Sequence, residues 1–334
     1  MHARALRTRA YNNDTKDKTI MAKKEIKQPS EMQVKTLEVN SLCKKYSARA
    51  NYAVKDVSFS CEKGQIVGLL GSNGAGKSTS LKCITGMIPL TSGEIAIGGC
   101  NISKNPIEAK RNFSFVTDNH ATFVKMTGLQ YLSFMADVYK VPKKERRDRY
   151  EELESVFQLG DAVKRLISNY SHGMKQKICM MASLIHEPDL WILDEPMVGL
   201  DPRTQNAVIN FMYSYAKKGK TILFSSHNLD VVRRVCDRVV IINKGQMVAD
   251  LVIDDSMRND HTILEGYYFG DDKEALQEAM MANQAYQAET EQEVVDEEAE
   301  VKASAQSEIR IVSRRKANKV PNAPRFHMIS GGKK

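Results

Sequence analysis

Long hydrophobic runs are missing from this sequence. Among its 334 residues the longest apolar stretches, such as Val239–Ile242, have the length of one buried strand. A bilayer-spanning helix needs about 20 such residues, so none is expected here. The first residues carry no apolar core of a secretory signal. Cysteine is sparse as well. The six residues, Cys43, Cys61, Cys83, Cys100, Cys179 and Cys236, are never closer than 17 positions. That spacing excludes paired zinc ligands and reads as buried thiols in a reducing compartment. Aromatics make up 7% of the chain and there is a single tryptophan. With 42% apolar and 27% charged residues, the composition is that of a globular domain rather than a collagen-like, mucin-like or wholly disordered chain.

The net charge of +8 is unevenly placed. Residues 289–300 hold seven acidic side chains and no basic one, and residues 310–334 hold eight basic and no acidic one. Such blocks read first as solvated tails. Basic segments also suit nucleic acid or anionic lipid.

Four sections follow from the pattern: a basic, flexible extension over 1–35, an ordered domain over 36–250, an extension over 251–279 and a charged, disordered tail over 280–334. Within the domain, Thr36–Asn40 and Val54–Ser60 alternate apolar and polar residues as half-buried strands do. Gln65–Leu70 is a largely apolar run, as are Leu190–Leu193, Thr221–Ser225 and Arg238–Asn243. Helical segments around 202–216 and 229–235 separate the later runs, and strands alternating with helices predict a parallel α/β sheet. Between about 118 and 186 the period is helical. Thr127 is a fitting N-cap, and Leu129, Leu132, Phe134, Met135 and Val138 are expected to form one buried stripe. Pro142 ends that helix.

Gly71-Ser72-Asn73-Gly74-Ala75-Gly76-Lys77-Ser78-Thr79 matches GxxxxGK[ST], after a predicted strand and before a helix. Glycines let successive N–H groups face phosphate oxygens, and the helix N-terminus adds positive potential. Lys77 suits the β- and γ-phosphates, Ser78 suits Mg²⁺, and Thr79 is within reach of the α-phosphate. Leu190-Trp-Ile-Leu-Asp194-Glu195 is an apolar strand ending in two carboxylates, expected to emerge beside the phosphate loop. Asp194 then holds Mg²⁺, and Glu195 orients and deprotonates an attacking water. Trp191 is expected in the core. Asn243-Lys244-Gly245 lacks the aspartate of a guanine-reading motif and reads as a hairpin turn.

A third motif, Tyr170-Ser171-His172-Gly173-Met174-Lys175-Gln176, stands 24 residues before Asp194. With it the chain resembles the ATP-binding cassette (ABC) ATPases over about residues 36–250. The resemblance implies a P-loop NTPase fold: a parallel-sheet core, an antiparallel β subdomain and an inserted α-helical subdomain. It implies ATP and Mg²⁺ as ligands. It also makes Ser171 and Gly173 part of the signature that meets the ATP of another protomer, Gly199–Asp201 the loop after the catalytic carboxylate, His227 the γ-phosphate switch and Tyr46 the adenine stack. His172 and Met174 depart from the usual glycine and glutamine, in a form frequent among exporter ATPases. Asp118 stands where the family has glutamine; a carboxylate there suits Mg²⁺ or water but repels the γ-phosphate.

The segment Met126–Pro142 resembles that of bacterial exporter ATPases whose permease is a separate chain. The resemblance therefore implies an ATP-hydrolysing transporter subunit, forming a homodimer or heterodimer of cassettes, at the inner face of the cell membrane through its permease. The alternative is an ABC ATPase acting on nucleic acid or the ribosome. Against it stand the single phosphate loop and the separation of only 117 residues between Lys77 and Asp194. A non-hydrolysing regulatory cassette is disfavoured because Lys77, Asp194, Glu195 and His227 are all present.

Overall fold

The computed structural model describes residues 35–118, 123–259 and 261–269. The N-terminal extension up to residue 34 and both charged blocks lie outside the described residues. In chain order, β1 (Lys35–Lys44), β2 (Val54–Glu62) and β3 (Ile66–Leu70) lead into α1 (Lys77–Ile84). Next come β4 (Ser92–Ile97), β5 (Cys100–Asn101), α2 (Pro106–Arg111) and β6 (Phe113–Val116). Three helices follow: α3 (Gly128–Val138), α4 (Lys143–Phe157) and α5 (His172–Leu184). The chain then alternates through β7 (Leu190–Asp194), α6 (Pro202–Lys217), β8 (Thr221–Ser226), α7 (Leu229–Val235), β9 (Arg238–Asn243) and β10 (Gln246–Val252). It continues into α8 (Asp255–Asn259) and α9 (His261–Phe269).

Two sheets form. One is four-stranded and antiparallel, in the order β2-β1-β4-β5; the other is six-stranded, β10-β9-β3-β8-β7-β6. The larger sheet is parallel except for β10, which returns along β9 through the Lys244–Gly245 hairpin. β3, β7 and β8 are buried along their whole length, which is why they read as unbroken apolar runs. Successive side chains still divide between the two faces. Trp191 and Leu193 join Phe157, Phe211 and Tyr215 on the helical side. Leu190 and Ile192 join Leu37, Ile95 and Leu81 on the side of the antiparallel sheet. Trp191 is fully buried, as expected, and its Nε1–H donates to Ser183 Oγ at 2.9 Å.

The carboxylate strand β7 is not paired with β3, since β8 pairs with both and stands between them, but its end emerges beside the phosphate loop as expected, with Ser78 Oγ donating to Asp194 Oδ1 at 3.1 Å. One expectation needs correction. In α3, the buried face is Gly128, Tyr131, Leu132 and Ala136, with Met135 half-buried. Leu129, Phe134 and Val138 are exposed. Residues at 0, 3, 4 and 8 share one face of a helix; Leu129 and Phe134 fall off that arc, and hydrophobicity alone did not separate the two sets. The predicted start of this helix holds. Thr127 Oγ1 accepts from Gln130 N at 3.2 Å, and the Gln130 side chain accepts from Thr127 N at 2.9 Å, a complete capping box.

Candidate active site

The phosphate-loop segment leaves the C-terminal end of β3 and enters α1 at Lys77. Gly76 holds the turn with φ +110°, and a Cβ there would lie 2.9 Å from the Ala53 carbonyl oxygen, so only glycine fits without strain. Lys77 is buried. Its ammonium donates to Gly71 O at 2.6 Å and Ser72 O at 3.2 Å, and lies 3.3 Å from Glu195 Oε1. Tyr46 is 65% exposed, and its hydroxyl lies 3.2 Å from Thr79 Oγ1. The Lys44 ammonium lies over the same ring, 5.4 Å from its centroid.

Asp194 is fully buried at the end of β7. Its Oδ1 accepts from Ser225 Oγ at 2.6 Å and from Ser78 Oγ at 3.1 Å, while Oδ2 is buried with no hydrogen-bond partner. Burial holds this carboxyl above its ordinary range. The two serine hydrogen bonds pull it back, and the charges of Asp118 and Glu195 push it further up. A desolvated carboxylate with one oxygen unspent, next to a serine hydroxyl, suits a hard divalent cation. Asp118 itself is exposed two residues past β6.

Glu195 turns out of β7 with φ +51°, uncommon for a residue with a Cβ. Its N–H donates to Ser225 Oγ at 2.9 Å. Its Oε2 lies 3.0 Å from His227 Nδ1, so the two carboxylate oxygens contact Lys77 and His227 separately. An ionised carboxylate only accepts, so in that pair Nδ1 carries the proton. The fold thus brings Lys77, Ser78, Asp194, Glu195 and His227 together from two strand ends and the start of one helix.

The remaining expected residues sit elsewhere. Ser171 caps α5 by accepting from Met174 N at 3.3 Å. Asp201 caps α6, with Oδ1 accepting from Thr204 N at 2.9 Å and Oδ2 from Thr204 Oγ1 at 2.6 Å. Among the described residues, no hydrogen bond or ion pair links Ser171, Gly173 or Asp201 to residues 71–79 of the same chain. Sequence reasoning missed Ser225, whose hydroxyl donates to the Asp194 carboxylate and accepts from the Glu195 backbone N–H, and Gln176, whose buried amide donates to Pro196 O at 3.0 Å. Ser225 lies two residues before His227, and that position was the one available signal.

Residues 54–198 match the ABC transporter family. The linearmycin resistance ATP-binding protein LnrL of Bacillus subtilis is 36% identical over 213 residues, 64% of this chain and 68% of LnrL. The ABC transporter ATP-binding protein NatA of the same organism is 36% identical over 197 residues, 59% of this chain and 80% of NatA. A solved ATP-binding subunit of an ABC transporter superposes with a TM-score of 0.63 at 33% identity, over 67% of this chain and 92% of that one. A dimeric cassette in a post-hydrolysis state with ADP and phosphate shares the fold, with a TM-score of 0.60 at 22% identity, over 65% of this chain and 99% of that one. This chain belongs to the ABC transporter family, as one of its ATP-binding proteins.

Proposed function

We propose that this chain binds and hydrolyses ATP as the motor of an exporter whose permease is a separate chain, and that two cassettes close head-to-tail over two ATP molecules. The observation that carries the hydrolytic reading is the contact of one carboxylate, Glu195, with both Lys77 and His227. Phosphate oxygens would compete for the Lys77 ammonium now held by Gly71 O, Ser72 O and Glu195. That exchange frees one Glu195 oxygen to take a proton from water as the water oxygen attacks the γ-phosphorus. The bond to the β–γ bridging oxygen breaks, and ADP and phosphate leave. His227 orients Glu195 through Nδ1, and as an imidazolium it would also donate from Nε2 to the transferring group. Tyr46 stacks on the adenine, and the N–H groups of residues 71–79 cradle the phosphates. Ser78 and Asp194 would hold Mg²⁺, with the charge of Asp118 acting on Asp194; the ion would supply positive charge against the phosphates.

Among the described residues, no hydrogen bond or ion pair joins Ser171, Gly173 or Asp201 to their own phosphate loop, which supports their acting on the ATP of a second copy. A C2 pair buries the same patch on both copies and completes two sites at once. Exposed Phe123, Val124, Leu129, Phe134 and Val138, beside a groove of about 690 Å³ lined by Lys82, Lys110, Tyr131 and Tyr139, support contact with a membrane partner. No described helix is long and apolar enough to cross a membrane.

The test is Glu195→Gln. Loss of a general base is expected to lower turnover by about 10²–10⁴-fold, while ATP binding survives and an ATP-dependent dimer accumulates on gel filtration. Turnover at the parental rate overturns the assignment. For the transport reading, the chain is reconstituted with the membrane protein encoded beside it. ATP-driven substrate movement toward the permease side supports export, and movement toward the ATPase side overturns it.

A further inference from the structure

We infer that Ser225 is a positioning residue whose single hydroxyl sets both carboxylates of the hydrolytic site, choosing which oxygen of Asp194 is offered to the metal. The inference rests on the reading of Asp194 and Glu195 given above. Ser225 is fully buried in β8, in register with Asp194 of β7 on one side and Leu69 of β3 on the other. Register partners in parallel strands project to the same face, so the hydroxyl is delivered next to the carboxylate.

A serine hydroxyl has one proton to give and lone pairs to receive. Here the proton goes to Asp194 Oδ1 at 2.6 Å, and a lone pair accepts the Glu195 N–H at 2.9 Å. With Ser78 also on Oδ1, both hydroxyl donors fall on the same oxygen. Rotation of the carboxylate is thereby fixed, and Oδ2 is left buried and without a partner. The second bond acts on the neighbour. β7 ends at Asp194, and the chain turns at Glu195 through φ +51°. The N–H freed by that turn is taken by Ser225 Oγ, which ties the left-handed residue to the sheet and sends its side chain toward Lys77 and His227. An alanine at 225 would remove both bonds at once, leaving a buried N–H and a carboxylate free to rotate.

Hydrogen-bond partners of metal ligands are worth about 10–100-fold in metal affinity or activity. The experiment compares Ser225→Ala and Ser225→Thr in two backgrounds. In the Glu195→Gln background, which removes turnover, Mn²⁺ affinity in the presence of ATP is read by electron paramagnetic resonance, and ATP affinity without metal is read separately. Ser225→Ala is expected to weaken Mn²⁺ binding about tenfold or more and to leave metal-free ATP affinity unchanged; Ser225→Thr, which keeps the hydroxyl, restores Mn²⁺ binding. In the otherwise native chain, Ser225→Ala is expected to lower kcat and raise the half-saturating Mg²⁺ concentration, with KM for ATP nearly constant. The inference is overturned if Ser225→Ala binds Mn²⁺ as the parent does, or if metal-free ATP affinity falls in parallel, which would mean general damage to the site. Undiminished turnover of Glu195→Gln would sink the assignment of the base, yet the Mn²⁺ comparison between alanine and serine at 225 would still stand.

Discussion

A Cβ on Gly173 would stand 2.6 Å from the carbonyl oxygen of Gly199. The second glycine of the signature is therefore required inside its own chain. Gly199, at φ +79°, is packed in turn against the His172 ring, and Gln176 holds Pro196 O in the same loop. The head of α5 and the loop over 196–201 lie backbone to backbone. Gly173→Ala is expected to force them apart, at a cost of about 1–3 kcal/mol from overpacking. Chemical denaturation measures this, and a midpoint equal to that of the parent contradicts it.

Lys77 spends its donors on Gly71 O, Ser72 O and Glu195, so no other cation among the described contacts replaces it there. Lys77→Ala removes charge-assisted bonds worth about 1.5–3 kcal/mol, and ATP affinity is expected to fall roughly 10–100-fold. Titration with a fluorescent ATP analogue reads the loss. Affinity within error of the parent would mean that the backbone N–H groups alone hold the phosphates.

Thr127 gives a cleaner stability test because its capping box lies outside the site. Thr127→Ala is expected to cost about 1 kcal/mol with ATP affinity unchanged. A coincident loss of ATP binding would show that the start of α3 is coupled to the nucleotide.

His186 predicts an acid limb. Its ring stacks on Tyr139 at 3.5 Å between centroids. Burial pushes its pKa down to about 4, and Arg149 and Lys220 add to the effect. The folded protein therefore binds this proton less readily than the unfolded chain. The stabilisation is complete above about pH 6.5 and is lost as pH falls toward 4, amounting to about 3 kcal/mol. His186→Phe keeps a stacking ring without a titrating group, and its stability is expected to vary less between pH 6.5 and 4. Parallel curves for the two proteins reject the assignment.

Much of the site is readable from short stretches of chain. The loop from Gly71 to Thr79, the caps at Thr127 and Ser171 and the Lys244–Gly245 hairpin each depend on residues a few positions apart. Their chemistry is written in adjacent letters. The apolar runs of β3, β7 and β8 are equally plain, because burial on both faces leaves no room for polar residues.

Strand order is a different matter. β3 pairs with β8, whose residues lie more than 150 positions further on, and nothing local states that β8 stands between the phosphate loop and the carboxylate strand. Ser225 consequently looked like the end of a strand, although it is the hydroxyl between two acids. Gly173 looked like a place for an anion, and the structure adds that the Gly199 carbonyl leaves no room for a side chain there. In α3 the sequence offers more apolar residues than one face can bury, and contact with α5 selects Tyr131, Leu132 and Ala136 over Leu129, Phe134 and Val138. The short motifs thus carry the resemblance to an ATP-binding cassette, which the relatives bear out. Which oxygen, which helix face and which neighbouring strand are involved follows from long-range packing, because those choices are made by side chains that meet only after the sheet has formed.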